Sequence, residues 1–284
     1  MMMNKVAIIT GSTRGIGRHL ALTLAKNGYN ITVTGKSTKS TKNLPGSIFS
    51  VADEVCEVGS DALPIKLDVR NVNEIEHCVK ETYETWGRID VLINNAGALW
   101  WKSIKETPAN KYDLINDINS RASFLMARET IPYMLKNDGG HIINFSPPLA
   151  SLPINNYAPL KNKTAYLISK MGMTLGMLGI SREYLEHNIA SNSLWPLRPV
   201  ESYALINNNL GDSRSWYKQD IISDSVMHIL KEDKMTFTGN QLVDEEYLKH
   251  KGVTDFTKYR CHPDFEPPKL DEIHHLWDTR PTKV

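Results

Sequence analysis

The sequence predicts an α/β fold built on one doubly wound parallel sheet with helices on both faces. Two observations carry that prediction. Short apolar runs alternate with amphipathic segments along most of the chain, the order that parallel strands joined by crossover helices require. The first run, Val6–Ile9, ends in a turn holding Gly11, Gly15 and Gly17, and a helical pattern with Leu20, Leu22, Leu24 and Ala25 follows. Strand, glycine turn and helix together present backbone N–H groups at a helix N-terminus to a phosphate, the arrangement of Rossmann-type domains. Gly11 permits a tight exit from the strand, Gly15 lets the backbone approach a pyrophosphate, and Gly17 lets the helix pack close to the sheet. The spacing is not Gly-x-Gly-x-x-Gly, so that fingerprint lends no support.

The remaining elements follow in order. Ile31–Gly35 reads as a second strand, running out into the polar, basic stretch Lys36-Ser37-Thr38-Lys39-Ser40; a helix is expected around Val51–Val58 and a third strand over Leu63–Leu67, ending at Asp68-Val69. Ile75, Val79 and Tyr83 recur at helical spacing within Val72–Trp86. Val91–Ile93 is the fourth strand and stops at Asn94-Asn95-Ala96-Gly97. A long helix covers Lys111–Leu135, with Pro132 expected to kink or interrupt it near its end. His141–Phe145 is the fifth strand, Thr164–Glu186 a long helix, and Ile189–Leu194 the sixth strand; Pro196 and Pro199 enforce an irregular segment. A helix around Ile221–Leu230 and a strand over Gln241–Val243 close a single domain spanning residues 1–249, and residues 250–284 form a polar tail packed on the domain or on a neighbouring subunit.

Composition narrows the function. The 284 residues carry a formal net charge of +1 and a 41% hydrophobic fraction, enough for a core and too neutral to favour nucleic acid. No apolar run is long enough to span a bilayer, and Met1–Asn4 leads straight into the first strand, leaving no room for a signal peptide. Cys56, Cys78 and Cys261 are scattered and odd in number, which points to a reducing compartment; no cysteine or histidine spacing suggests a metal, and the C-terminus is not a peroxisomal address. A cytoplasmic protein is expected.

The chemistry-bearing residues cluster at strand ends, where open α/β sheets bind ligands. Tyr166 and Lys170 lie one helical turn apart, so the ammonium can approach the phenol, favour phenolate and make Tyr166 a general acid/base. A bare Tyr-x-x-x-Lys is common, and on its own the pair reads as an ordinary Tyr and Lys on a helix surface. Ser146 ends the fifth strand and Asn94-Asn95-Ala96-Gly97 the fourth, while Asn119 lies inside a long helix, where Asn is a poor helix former.

These pieces, in this order, resemble the short-chain dehydrogenase/reductase family. The match comprises Thr10-Gly11-Ser12-Thr13-Arg14-Gly15-Ile16-Gly17, Asp68-Val69, Asn94-Asn95-Ala96-Gly97, Asn119, Ser146 and Tyr166-x-x-x-Lys170, and extends through nearly all of residues 1–245. Asn144-Phe145-Ser146-Pro147-Pro148-Leu149, Leu194-Trp195-Pro196 and Phe237-Thr238-Gly239-Asn240 look similar to the hydroxysteroid dehydrogenase-like protein 2 group and its bacterial relatives, some described as citronellol dehydrogenases.

The resemblance implies roles. Tyr166 would move the proton on the substrate oxygen; Lys170 would hold the nicotinamide ribose and depress the Tyr166 pKa; Ser146 would hydrogen-bond the substrate oxygen; Asn119 would hold a water leading from Lys170 to solvent. Residues 11–17 would cradle the pyrophosphate, Asp68 and Val69 the adenine, and Asn95, Ala96 and Gly97 the adenosine side. The chain departs from the family pattern in a long gap between Ser146 and Tyr166 and in Pro196-Leu197 replacing the usual Pro-Gly, with Val200 and Ser202 as substitutes at the nicotinamide. The second strand ends in Gly35-Lys36-Ser37 without a carboxylate, and Lys36 with Arg14 suits the 2′-phosphate of NADP(H) rather than NAD(H). The expected reaction is hydride transfer between the cofactor and an apolar alcohol or carbonyl, since Trp100, Trp101, Leu149, Leu152, Tyr157 and Leu205 occupy the candidate pocket segments. The expected assembly is a homodimer or homotetramer. The alternative is a cofactor-binding regulatory or lipid-carrier-associated protein with little turnover.

Overall fold

A computed structural model of the chain describes residues 4–42, 44–149 and 161–270. Its centre is a seven-stranded sheet in the order β3-β2-β1-β4-β5-β6-β7, with every pairing parallel. The strands are β1 (Lys5–Ile9), β2 (Tyr29–Gly35), β3 (Ala62–Lys66), β4 (Val91–Asn94), β5 (Gly140–Asn144), β6 (Ile189–Trp195) and β7 (Gln241–Val243). The helices, in chain order, are α1 (Gly15–Lys26), α2 (Ile48–Glu57), α3 (Val72–Trp86), α4 (Ala109–Asn116), α5 (Ala122–Met134), α6 (Thr164–Glu183), α7 (Tyr203–Asn207), α8 (Asp220–Ile229) and α9 (Asp244–His250).

Period-two alternation divides the core into two layers. Ala7, Ile9, Val91, Ile93 and Ile143 face α1, α2, α8 and α9, whereas Ile8, Leu92 and Ile142 face α3 and α5. Strand order reverses between β1 and β4: the chain builds outward on one side through β2 and β3, then crosses back to β4. That reversal leaves a crevice beyond the carboxyl ends of the strands. Pro64 is accommodated because β3 is an edge strand.

Several boundaries differ from the sequence expectation for identifiable reasons. Helix α2 starts at Ile48, earlier than Val51, because Ser47 and Ser50 form a reciprocal capping box. Pro132 does not interrupt its helix. Its missing N–H falls near the end of α5, which runs on to Met134. The irregularity comes earlier, a π-helical turn over Asp117–Arg121 that holds the buried Asn119 and joins α4 to α5 in one continuous helix. Helices α7 and α9 are too short to show a period in sequence. Leu152, Tyr157 and the chain beyond residue 270 lie outside the described residues.

Asp244, the first residue of α9, is fully buried; its Oδ1 accepts from Leu197 N–H at 2.8 Å and Glu245 N–H at 2.6 Å. Oδ2 has no partner among the described residues. Burial pushes this carboxyl up to about 7, helped by Glu245 and opposed by Arg198. The folded value is therefore raised above the unfolded one, near 3.9. The stability this group contributes is fully present below about pH 4 and is lost as pH rises through 7. Asp244→Asn, an isostere of the neutral acid, is expected to unfold later than wild type at pH 8, by roughly 2–4 °C or more, and with a smaller advantage at pH 5. Thermal unfolding of both proteins across that range checks the difference.

Candidate active site

The carboxyl ends of the central strands open into a cleft of about 510 Å³. At one end is the glycine turn. Helix α1 begins at Gly15, and its N-cap residue Arg14 is extended and makes no side-chain cap, so the first N–H groups of α1 face the cleft without an internal competitor. Two glycines are obligatory here. Gly11 has φ +67°, and a Cβ on it would stand 3.1 Å from Ala96 Cα; a Cβ on Gly17 would collide with Gly11 O and with the Asn95 amide at 2.5 Å. Gly17 is thus required where α1 closes on the turn after β1 and the loop after β4.

Asn95 and Thr10 fasten this turn. Asn95 Nδ2 donates to Thr10 O at 2.8 Å and Gly11 O at 3.0 Å, while Thr10 Oγ1 accepts from the N–H groups of Asn95 and Ala96 at 3.0 and 2.9 Å. Asn95, Ala96 and Gly97 line the cleft, as do Thr13, Arg14 and Ile16. Ser12 does not. It is fully buried beneath the turn, donating to Ile9 O at 3.0 Å and accepting from Thr34 N–H at 2.9 Å, and so pins β1 to β2.

The flank beside β2 and β3 is polar. Lys36, Ser37, Asp68 and Val69 line it. The Arg14 guanidinium bridges to the end of β2, donating to Ser37 Oγ at 2.8 Å and Gly46 O at 3.2 Å. Asp68 is gripped by Arg70, whose Nε lies 2.9 Å from Oδ1, and the hydrogen bonds from Arg70 hold the carboxyl down to about 2. No carboxylate stands at the end of β2.

At the other end α6 delivers Tyr166 and Lys170 to the cleft. A chain of buried amides sets its height. Asn94 Nδ2 donates to Asn144 Oδ1 at 2.8 Å, and Asn144 Nδ2 donates to Met173 O at 3.0 Å, which ties β4 and β5 to α6. Lys170 is buried; its Nζ donates to Phe145 O at 2.8 Å and lies 3.5 Å from Met173 Sδ, and burial lowers its pKa to about 8. Burial pushes the Tyr166 phenol up, the opposite of the expected depression by Lys170. The Trp101 ring meets the Tyr166 ring edge-on at 6.3 Å, and Lys163 places its ammonium 5.2 Å from the Trp101 ring centre. Trp100 is a packing residue, donating from Nε1 to Thr107 Oγ1 at 3.1 Å.

Two expected catalytic residues and one cofactor contact sit behind the wall. Asn119 Oδ1 accepts from Ala98 N–H at 2.8 Å, and its Nδ2 donates to Ala98 O at 3.0 Å and Ser169 Oγ at 2.8 Å. Its amide is therefore spent on holding the loop after β4 against α6. A Cβ on Gly97 would fall 3.5 Å from Asn119 Oδ1 and 3.6 Å from Lys170 Nζ, so both side chains approach Gly97. Ser146 is fully buried, with Thr174 Oγ1 2.9 Å from its Oγ, and it does not line the cleft that Tyr166 and Lys170 share. Val200 packs in the core and bridges to Tyr217, whereas Ser202 lines the cleft and caps α7 by accepting from Leu205 N–H. Thr10 and Asn144 stand in the matched motifs without an assigned role, and Thr174 lies outside them. Thr174 had a signal, because it stands one turn beyond Lys170 on the same helix face.

The short chain dehydrogenase profile matches residues 5–198. Hydroxysteroid dehydrogenase-like protein 2 of Xenopus tropicalis is 40% identical over 256 residues, covering 90% of this chain and 60% of its own length. The protein of that name from Homo sapiens is 37% identical with the same coverage. This chain therefore spans less than two thirds of these relatives. A solved short chain dehydrogenase from Mycobacterium thermoresistibile is 36% identical with a TM-score of 0.86 over 94% of both chains. A solved protein from Xanthomonas campestris, 33% identical, superimposes with a TM-score of 0.88 over 95% of this chain and 97% of its own. With the glycine turn, the strand-end asparagines and the Tyr166–Lys170 turn converging on one crevice, the chain belongs to the short chain dehydrogenase family, a family of oxidoreductases.

Proposed function

We propose that the chain is an NADP(H)-dependent oxidoreductase that exchanges a hydride with an apolar alcohol or carbonyl compound. The observation that carries this reading is a single cleft running from the open N-terminus of α1 to Tyr166 and Lys170. The cleft fits the group: the glycine turn leaves a side-chain-free cradle for a pyrophosphate, and Arg14, Lys36 and Ser37 offer cationic and hydroxyl donors where a 2′-phosphate would lie. When bound, the nicotinamide supplies or accepts the hydride. Tyr166 donates its phenolic proton to the carbonyl oxygen in reduction and takes it back in oxidation. Lys170, held by Phe145 O, keeps a positive charge at the ribose side of the tyrosine. Trp101 and Leu99 give the substrate side its apolar character.

One observation favours the second reading, a cofactor-binding protein with little turnover. Ser146 faces Thr174 and has to rotate before it can hold a substrate oxygen. A panel of alcohols and aldehydes followed by cofactor absorbance separates the two readings. Turnover of any apolar member supports the enzyme, and binding of NADPH without turnover across the panel supports the regulator.

The chain is also proposed to self-associate. The outward faces of the packed helices α5 and α6 expose Phe124 (58%), Ile168 (48%) and Leu175 (59%), an apolar surface that a second copy would cover. Sedimentation is expected to show a dimer or tetramer in the wild type and a shift toward monomer in Leu175→Glu.

Tyr166→Phe keeps the ring and removes the ionisable oxygen. Turnover is expected to fall roughly 10²-fold or more, with NADPH affinity nearly unchanged. Near-wild-type turnover in this variant would rule out the acid/base assignment.

The cofactor preference resides in Arg14 and Lys36. A charge-assisted hydrogen bond contributes about 1.5–3 kcal/mol, less where solvent screens it, so each residue is expected to give roughly a tenfold preference for NADPH. The ratio of NADPH to NADH dissociation constants, measured for wild type, Arg14→Ala and Lys36→Ala, tests this. Equal wild-type affinity for the two cofactors removes the assignment.

A further inference from the structure

The wall of the cleft opposite Asn95 is the segment from Trp195 to Ala204, which follows β6 and contributes Trp195, Pro196, Ser202, Tyr203 and Ala204 to the lining. Pro196 and Pro199 keep residues 196–199 out of helix and strand, and α7, which opens at Tyr203, is only five residues long. Such a segment has little intrinsic reason to hold one shape.

Its shape is imposed from behind by one buried arginine. Arg198 is 6% exposed. Its Nε donates to Glu245 Oε2 at 2.9 Å, its Nη2 to Glu266 Oε1 at 2.6 Å, and its Nη1 to Pro267 O. The guanidinium also lies 5.7 Å from the Tyr217 ring centre. One planar fork thus joins the cleft wall to α9 and to the C-terminal stretch. Neighbouring backbone bonds follow the same route: Leu197 N–H donates to Asp244 Oδ1, Leu270 N–H donates to Leu197 O at 2.7 Å, and Tyr217 exchanges hydrogen bonds with Pro199 and Glu201. Arg260 adds a second cation to Glu266 at 3.3 Å.

We propose that Arg198 is a positioning residue for the cofactor, holding the wall that bears Ser202 and Tyr203 in place by clamping it to Glu245 and to the strap of residues 259–270. It touches neither cofactor nor substrate and acts through the wall. The assignment rests on the reading of the cleft as a nicotinamide cofactor site. Lysine cannot replace it, because a point charge cannot serve two carboxylates and a carbonyl in one plane. The outer latch is accessible: the Glu266 side chain is 59% exposed, whereas that of Glu245 is 5% exposed. The outer partner can therefore be altered without leaving a charge unpaired in the core.

The test uses the full-length chain and three variants, Glu266→Gln, Arg198→Lys and Arg198→Met. NADPH affinity is read by energy transfer from protein fluorescence to the nicotinamide, and amide hydrogen exchange is read without cofactor. Arg198→Lys and Arg198→Met are expected to raise the NADPH dissociation constant about tenfold or more, and Glu266→Gln roughly threefold. Faster exchange is expected at Leu197, Glu201 and Leu205, with Asn95 and Ala96 unchanged. Glu266→Gln keeps the test decisive if either Arg198 variant fails to fold. Wild-type NADPH affinity in the folded variants overturns the proposal, as does unchanged exchange over residues 197–205. A wild-type protein that binds neither NADPH nor NADH refutes the cofactor reading itself and the positioning role with it; that failure is recognised in the wild type, whereas failure of the clamp appears only in the variants.

Discussion

The Thr10 hydroxyl and the Asn95 side-chain amide lock the end of β1 to the end of β4, and the crevice exists because they do. Strand order reverses at this pair, so the chain leaving β1 and the chain leaving β4 diverge and a gap opens beyond them. Without cross-bonds the two loops could slump into the gap. Thr10 Oγ1 gathers two consecutive N–H groups of the β4 loop, and Asn95 Nδ2 gathers two consecutive carbonyls of the β1 loop. The exchange is reciprocal and leaves no room for side chains at Gly11 and Gly17. The open N-terminus of α1, the apposed Gly97 and the reach of Lys170 toward it are all measured from this fixed corner.

The sheet was legible because its central strands β1 and β4 are buried and carry the uninterrupted apolar runs Val6–Ile9 and Val91–Ile93, with helical patterns between the strands. Where the sequence misled, two physical effects competed. Pro132 stands two residues before the end of α5, where little helix remains to be disrupted, while a π-helical turn over Asp117–Arg121 interrupts the α pattern without any helix-breaking residue type. Helix α9 hid because its first turn is acidic and buried, a pattern that reads as a charged tail until Arg198 and Leu197 are seen to face it.

Candidate site residues were legible to the extent that backbone position decides their role. The glycines, Lys36, Asp68, Asn95, Tyr166 and Lys170 reach the cleft because strand ends and one helix face put them there. Ser12 and Ser146 also sit at strand ends, yet each turns into the protein because a hydroxyl at a strand end can bond equally well to buried groups: Ile9 and Thr34 for one, Thr174 for the other. Sequence gives the place of a serine but not its rotamer. Val200 is buried for a related reason, since it bridges to Tyr217 while Ser202, two residues on, lines the cleft.

Burial acts on Tyr166 and Lys170 in opposite senses and to one effect. It disfavours phenolate, so the tyrosine holds its proton, and it disfavours ammonium, so the lysine falls to about 8. At neutral pH the lysine is still mostly charged, and its carbonyl partner, Phe145 O, compensates part of its desolvation. The proposed reaction therefore starts with a phenol ready to donate and a cation held at Phe145 O, one helical turn along α6. Donation to a carbonyl oxygen needs no prior ionisation, whereas proton removal from an alcohol requires the phenolate that burial opposes. In the proposed reaction the phenol can donate its proton directly, while oxidation has to generate phenolate against its burial.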